Sequence, residues 1–241
     1  MTRRPRVIVT SLFLLLALFL GQGWAQDRSP SLRQLKQAVK DNPQDPKVYF
    51  NLGLKYVILG KDKEAIKAFQ QAVKLKPDYA EAQYELGRLK GERGDTGQAI
   101  KDLQRAVKLK PDFSAARAGL GGEYNRQGLD FIEKGQWGKA AEAFKEALGA
   151  DPQAQDAARN NLGVALASEG QYPEALEQFR QVLESDPGNP NAHYNLGVTS
   201  LLTGNNVDAF REYLILKELD PTSAGELSYL IFLPKRKSDA K

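Results

Sequence analysis

Residues 46–79 read PKVYFNLGLKYVILGKDKEAIKAFQQAVKLKPDY, and this stretch decides the fold. Its frame is Leu52-Gly53, Tyr56, Gly60, Ala65, Phe69, Ala72, Leu75 and Pro77. The frame returns 34 residues later as Leu86-Gly87, Gly94, Ala99, Leu103, Ala106, Leu109 and Pro111. It returns again as Leu162-Gly163, Gly170, Ala175, Phe179, Val182 and Pro187, and as Leu196-Gly197, Gly204, Ala209, Tyr213, Leu216, Leu219 and Pro221. A period of this length with these residue types is the signature of helical hairpins stacked into a solenoid.

Spacing within the unit gives the local structure. Leu52, Gly53 and Tyr56 follow a three-to-four residue rhythm, as do Ala65, Phe69 and Ala72, so each set occupies one helix face. Gly60 is expected to end the first helix in a left-handed conformation, Asp62 to cap the second and Pro77 to stop it. Gly53 and Ala65 are small where the two axes cross, with Tyr56 and Phe69 filling the space beside them. One hairpin leaves an apolar face bare, so units must stack.

This Leu-Gly, Tyr, Gly, Ala, Phe or Tyr, Ala, Pro pattern resembles the tetratricopeptide repeat, and the resemblance runs from residue 46 to 223. It implies an all-α, right-handed superhelical solenoid of antiparallel hairpins. The five repeats are 46–79, 80–113, 114–155, 156–189 and 190–223, with an N-terminal half-repeat and a C-terminal capping helix. It also implies a non-catalytic scaffold whose first helices line a concave groove that takes a peptide or protein partner. The places that line this groove in the family fall here on Phe50, Asn51, Leu54 and Val57, and on Tyr84, Glu85 and Arg88. They continue with Asn125, Arg126 and Leu129, with Asn160, Asn161 and Val164, and with Tyr194, Asn195, Val198 and Leu201. Phe50 with Leu54 and Tyr194 with Val198 stand where chaperone-binding members carry the lysine, asparagine and arginine of a carboxylate clamp, so that clamp is absent. What remains is aromatic and apolar contact interleaved with asparagine amides, which can bond a peptide backbone. Phe50 and Tyr194 can also be read as packing between units.

Outside the repeats, Arg3, Arg4 and Arg6 precede an apolar run from Val7 to Leu20, and Gly23-Trp24-Ala25 offers small residues at the cleavage positions. Residues 1–25 read as a signal peptide cut before Gln26, which implies a secreted or periplasmic protein without a membrane span; an uncleaved anchor is the alternative. Residues 26–45 form a polar linker and a capping helix with Leu35 and Ala38 at second-helix places. The turn prolines at 43, 77, 111, 152, 187 and 221 are 34 or 35 residues apart except for an interval of 41 residues in the third repeat. Leu120-Gly121 fits one first-helix frame and Gly128 a second, seven residues on, which is almost two helical turns. The spacing therefore predicts one long first helix over 115–134, weakened by Gly119, Gly121, Gly122 and Gly128 and open to a break there. Residues 224–241 carry the last helix, with Ser223–Glu226 as a capping box, Leu227, Leu230 and Ile231 as its packed face, and Pro234 as its end. Tyr229, Phe232 and Leu233 make this helix more apolar than a cap requires, which suggests a homo-oligomer contact or a plug for the groove.

Chemistry finds little support. No cysteine is present, and the one histidine, His193, stands at a packing place of the fifth repeat. Thiol catalysis and the common transition-metal sites are thereby excluded, and no cofactor motif is present. Gly119–Gly122 lacks the lysine and hydroxyl residue of a phosphate loop. Glu81, Glu85, Glu92, Glu174 and Glu177 fall on charge-rich helix faces that read as solvated surface. The formal charge is +4, but three of those charges belong to the leader, so the basic balance does not argue for nucleic acid. Residues 46–113 carry 14 Lys/Arg against 9 Asp/Glu, and residues 156–223 carry 4 against 10. The array is electrically polar from end to end, a property that can steer a partner or favour association between copies. An accessory subunit of an envelope enzyme or secretion complex is the alternative to a free-standing scaffold.

Overall fold

The computed structural model describes residues 30–151 and 155–232; the leader, Pro152, Pro234 and the basic tail lie outside the described residues. Within them the chain is all-helical. A half-unit α1 (Leu32–Asp41) is followed by α2 (Pro46–Ile58) and α3 (Asp62–Leu75), then α4 (Ala80–Glu92) and α5 (Thr96–Leu109). Next come α6 (Ser114–Glu133) and α7 (Trp137–Ala150), α8 (Gln155–Ser168) and α9 (Tyr172–Ser185), α10 (Pro190–Leu202) and α11 (Asn206–Leu219), and finally α12 (Pro221–Phe232). Each helix packs on the next, and alternate helices also meet along the first-helix layer, where α4 touches α6, α8 touches α10 and α10 touches α12. Close approach within that layer makes it the inner, tighter side of the curve.

The turns follow the sequence. Gly60, Gly94, Gly135, Gly170 and Gly204 all have φ between 67° and 82°, the left-handed conformation that ends each first helix. The hairpin crossing is tighter than a general small-residue contact. A Cβ on Gly53 would stand 2.5 Å from the Phe69 ring, on Gly128 2.4 Å from Phe144, and on Gly163 2.5 Å from Phe179. Each glycine is therefore the seat of one buried phenylalanine. In the fifth repeat the seat is used differently, since a Cβ on Gly197 would meet Leu227 of the cap helix at 2.6 Å.

α6 is one unbroken helix of 20 residues, so the insertion lengthens the helix and no break occurs. Both of its frames are in use: Gly128 seats Phe144, and Gly121 lets the backbone approach Ala147 of α7 and Asp151, which caps the C-terminus of that helix.

Three local expectations are corrected. Asp62 does not cap α3; Lys61 occupies that position without a side-chain bond, and Asp62 is the first helical residue, where its charge favours the positive helix end. Ser223 and Glu226 do not open α12, because the helix starts at Pro221 with Asp220 as its cap. The Asp220 carboxylate accepts from the backbone N–H groups of Thr222 and Ser223 and from the Ser223 hydroxyl at 2.6 Å. Leu227 is fully buried and Ile231 packs beside it, but Leu230 is exposed.

Candidate functional site: the inner helix layer

The residues named for the groove divide into three kinds. Phe50 and Tyr84 are half-buried wedges between hairpins: the Phe50 ring lies 5.6 Å from Phe69 and 5.0 Å from Tyr79, and Tyr84 lies 5.0 Å from Phe113. Leu54 packs against the same cluster as Phe50, while Asn51 is exposed. Arg88 is held along its own helix, donating to Glu85 at 2.8 Å and to Glu92 at 2.6 Å. Burial lowers the guanidinium pKa, but the bonds to both carboxylates outweigh it and the net shift is upward.

The asparagines form a ladder between successive first helices. Asn161 Nδ2 donates to Asn125 Oδ1 at 3.2 Å, and Asn195 Nδ2 donates to Asn160 Oδ1 at 3.0 Å. Neutral amide pairs of this sort tie α6, α8 and α10 together along the inner layer. Beside the upper rung is a cleft of about 210 Å³ lined by Val164, Ala167, Phe179, Asn195, Val198 and Leu202. Tyr194 and Val198 pack with Leu201, Tyr213 and Leu216 under the cap helix. Burial, followed by the charge of Glu226, pushes the Tyr194 phenol pKa up.

Arg126 and Leu129 lie elsewhere. They line a larger cleft of about 590 Å³ between the start of α5 (Asp95, Thr96, Gly97) and the extra turns of α6 (Asp130, Phe131, Glu133). Arg126 is anchored there: Nη1 donates to the Gly91 carbonyl at 2.6 Å and Nη2 pairs with Glu123 at 3.2 Å. Glu123 is buried with its Oε2 unbonded, and a Cβ on Gly91 would stand 2.2 Å from its other oxygen. Burial pushes its carboxyl pKa up, opposed by Arg126 and by a hydrogen bond with Thr96.

Sequence reasoning missed Glu123. The signal was present at Gly91, which stands where the other repeats have Val57, Ile132, Ala167 and Leu201. It also missed the partner of His193. The imidazole is buried, with Nδ1 2.6 Å from Glu212 Oε2 and Nε2 2.9 Å from the Pro187 carbonyl. It is a packing residue with both nitrogens bonded, and of the other repeats only the second has an acidic side chain at the place of Glu212, namely Asp102, which pairs with Lys90.

Stacked hairpins with a continuous inner layer define a helical-repeat scaffold. Models of the tetratricopeptide repeat match residues 53–92, 80–113, 125–190 and 160–224, and the chain belongs to that family. No curated protein matches the chain in sequence. Among solved structures, YrrB, a TPR protein with an unusual peptide-binding site, aligns with a TM-score of 0.58 at 23% identity. That alignment covers 82% of this chain and 99% of YrrB. A crystal structure of MamA aligns with a TM-score of 0.54 at 22% identity, covering 75% and 94%. MamA from Desulfovibrio magneticus RS-1, from residue 41 to its end, aligns at 0.51 and 20%, covering 73% and 96%. At these identities the likeness is one of fold. Among the described residues no helix is long and apolar enough to cross a membrane.

Proposed function

We propose that the protein is a non-catalytic interaction scaffold that holds an extended peptide segment of a partner against the inner layer of α6, α8 and α10. The observation that carries this reading is the asparagine ladder beside an apolar cleft. Each amide has one carbonyl and one NH2 group. The ladder bonds engage a carbonyl on Asn125 and Asn160 and an NH2 on Asn161 and Asn195. A donor on two residues and an acceptor on the other two are left to pair with a peptide backbone. The cleft by Val164, Val198 and Leu202 then takes one apolar side chain of the ligand. YrrB, a TPR protein with an unusual peptide-binding site, supports the reading as a relative in fold.

Selection from a displayed random-peptide library on the purified protein tests it. Enriched peptides should share one apolar anchor, and Leu202→Glu, an exposed change at the cleft rim, should weaken their binding about tenfold with an unchanged melt. Failure to enrich any peptide, or indifference to Leu202→Glu and Asn195→Ala alike, overturns the reading.

We further propose export across a membrane, on the basic start, short apolar run and small residues of positions 1–25. The mass of the protein accumulated in its native cell should correspond to a chain beginning at Gln26. In that compartment, service as an accessory subunit is the second reading, favoured by the same leader. It predicts that a catalytic polypeptide co-purifies with the scaffold.

A further inference from the structure

The outer faces of α1, α3 and α5 repeat one charge pattern. Arg33, Lys67 and Lys101 stand 34 residues apart at one place of these helices, and Lys40, Lys74 and Lys108 stand 34 apart at another. All six are exposed. The two rows are separated by nearly two helical turns, so on each helix they share one stripe about 10 Å long. Lys36, Lys63 and Arg105, also exposed, fall within about 60° of that stripe. Its remaining places hold glutamines, Gly97 and a single acid, Glu64. Among the described residues none of the nine cations forms an ion pair or lies over an aromatic ring.

Packing does not require this sign of charge. At the places of Lys101 and Lys108 the later second helices carry Glu142 and Gly149 in α7, Glu177 and Glu184 in α9, and Arg211 and Glu218 in α11. Like charges held in register on neighbouring helices repel, and here no carboxylate is paired with them. A ligand for this face must therefore be anionic.

Breadth and composition select which anion. The face is three helices broad, and at 8–10 Å between packed axes it is roughly 20 Å or more across, too wide to enter a DNA major groove of about 12 Å. The stripe has no aromatic side chain on which unpaired bases could stack, and no apolar anchor of the kind that dominates a protein interface. A bilayer with anionic headgroups needs only charge spread over a surface. Lysine, a hydrated point charge on a long stem, suits that diffuse attraction, and seven of the nine cations are lysines.

We infer that the outer face of α1, α3 and α5 rests on an anionic lipid surface. The carboxylates of α7, α9 and α11 are repelled by the same surface, so the array stands on its N-terminal half with the C-terminal hairpins raised away from the lipid. The inner layer is left open in this pose, but the inference does not rest on peptide binding there.

Flotation of the full-length protein with vesicles of phosphatidylcholine and phosphatidylglycerol in equal parts tests it. The protein should float with these vesicles and be released as added salt shortens the Debye length. Each basic side chain near such a surface strengthens binding roughly fivefold, so the quadruple variant Lys67→Gln, Lys74→Gln, Lys101→Gln, Lys108→Gln should bind about a hundredfold more weakly. Glutamine already occupies neighbouring places of the stripe, so its helicity and melting temperature should be unchanged. A second variant, Lys134→Gln, Lys139→Gln, Lys145→Gln, Lys217→Gln, changes the net charge equally in the other half and should leave vesicle binding nearly intact. Absence of flotation, equal binding to phosphatidylcholine alone, or an equal loss in the two variants overturns the inference. So does salt-sensitive association with duplex DNA, or between copies of the chain, that is tighter than vesicle binding.

Discussion

Two glycines of the same type behave oppositely because of what stands opposite each. Gly163 seats Phe179, whose ring would lie 2.5 Å from an added Cβ, whereas Gly122 meets nothing within 4 Å. Gly163→Leu should therefore abolish the cooperative thermal melt of the fourth hairpin. Gly122→Ala should raise stability by about 0.5–1 kcal/mol through helix propensity alone, as read by urea unfolding. Only the first of these was legible in the sequence, because the repeat frame marks Gly163 and gives no neighbours for Gly122. Glu123 was illegible for a related reason: its burial depends on Gly91, on a different helix. Its folded carboxyl pKa lies above the ordinary value, so the folded state holds the proton more tightly than the unfolded chain does. Stability is then full below the unfolded pKa and declines as pH rises through the folded value. Melts from pH 4 to 7 should show that decline shallower in Glu123→Gln than in the unmodified protein.

At the scale of the element, helix starts were the least legible feature. Ser223 and Glu226 have the spacing of a capping box, but the box is outcompeted by Asp220, three residues upstream, beside a proline that suits the first helical position. The Ser223 hydroxyl and the Thr222 and Ser223 amides hold the Asp220 carboxyl below its ordinary pKa. The cap is thus intact above the unfolded carboxylate pKa and is lost as pH falls through the folded one. Asp220→Ala should speed amide exchange at Thr222 and Ser223 at neutral pH, and the unmodified protein should approach the same rates in acid. By contrast, Ser31 does form its box, its hydroxyl accepting from the Gln34 backbone N–H while its own backbone N–H donates to Gln34 Oε1 at 2.8 Å. The long α6 was readable from the turn-proline interval, since seven residues nearly preserve the helical face. The cleft it opens against α5 was not, because it depends on where two helices end in space.

For the whole molecule, cooperativity passes only between neighbours, so protection should vary along the stack. The largest buried cluster links α7, α8 and α9 through Phe144, Leu162, Leu166 and Phe179, whereas α1 contributes Leu35 to a smaller one. Native-state hydrogen exchange should open α1 first and α7–α9 last; uniform protection would show a single cooperative block instead. This gradient was only half legible in the sequence. The phenylalanine seats appear in the repeat frame, but joining the third and fourth hairpins into one cluster required the packing of α7 on α8.

α6 also sets a rule for anything that lies along the curve. Its extra turns displace one hairpin from the cadence of its neighbours, so contact points that recur at even intervals on one side fall out of phase on the other. A long ligand with regularly placed anchors can match one half of the surface only. To engage both it must carry two short motifs with an unequal gap between them, and the length of that gap becomes its address.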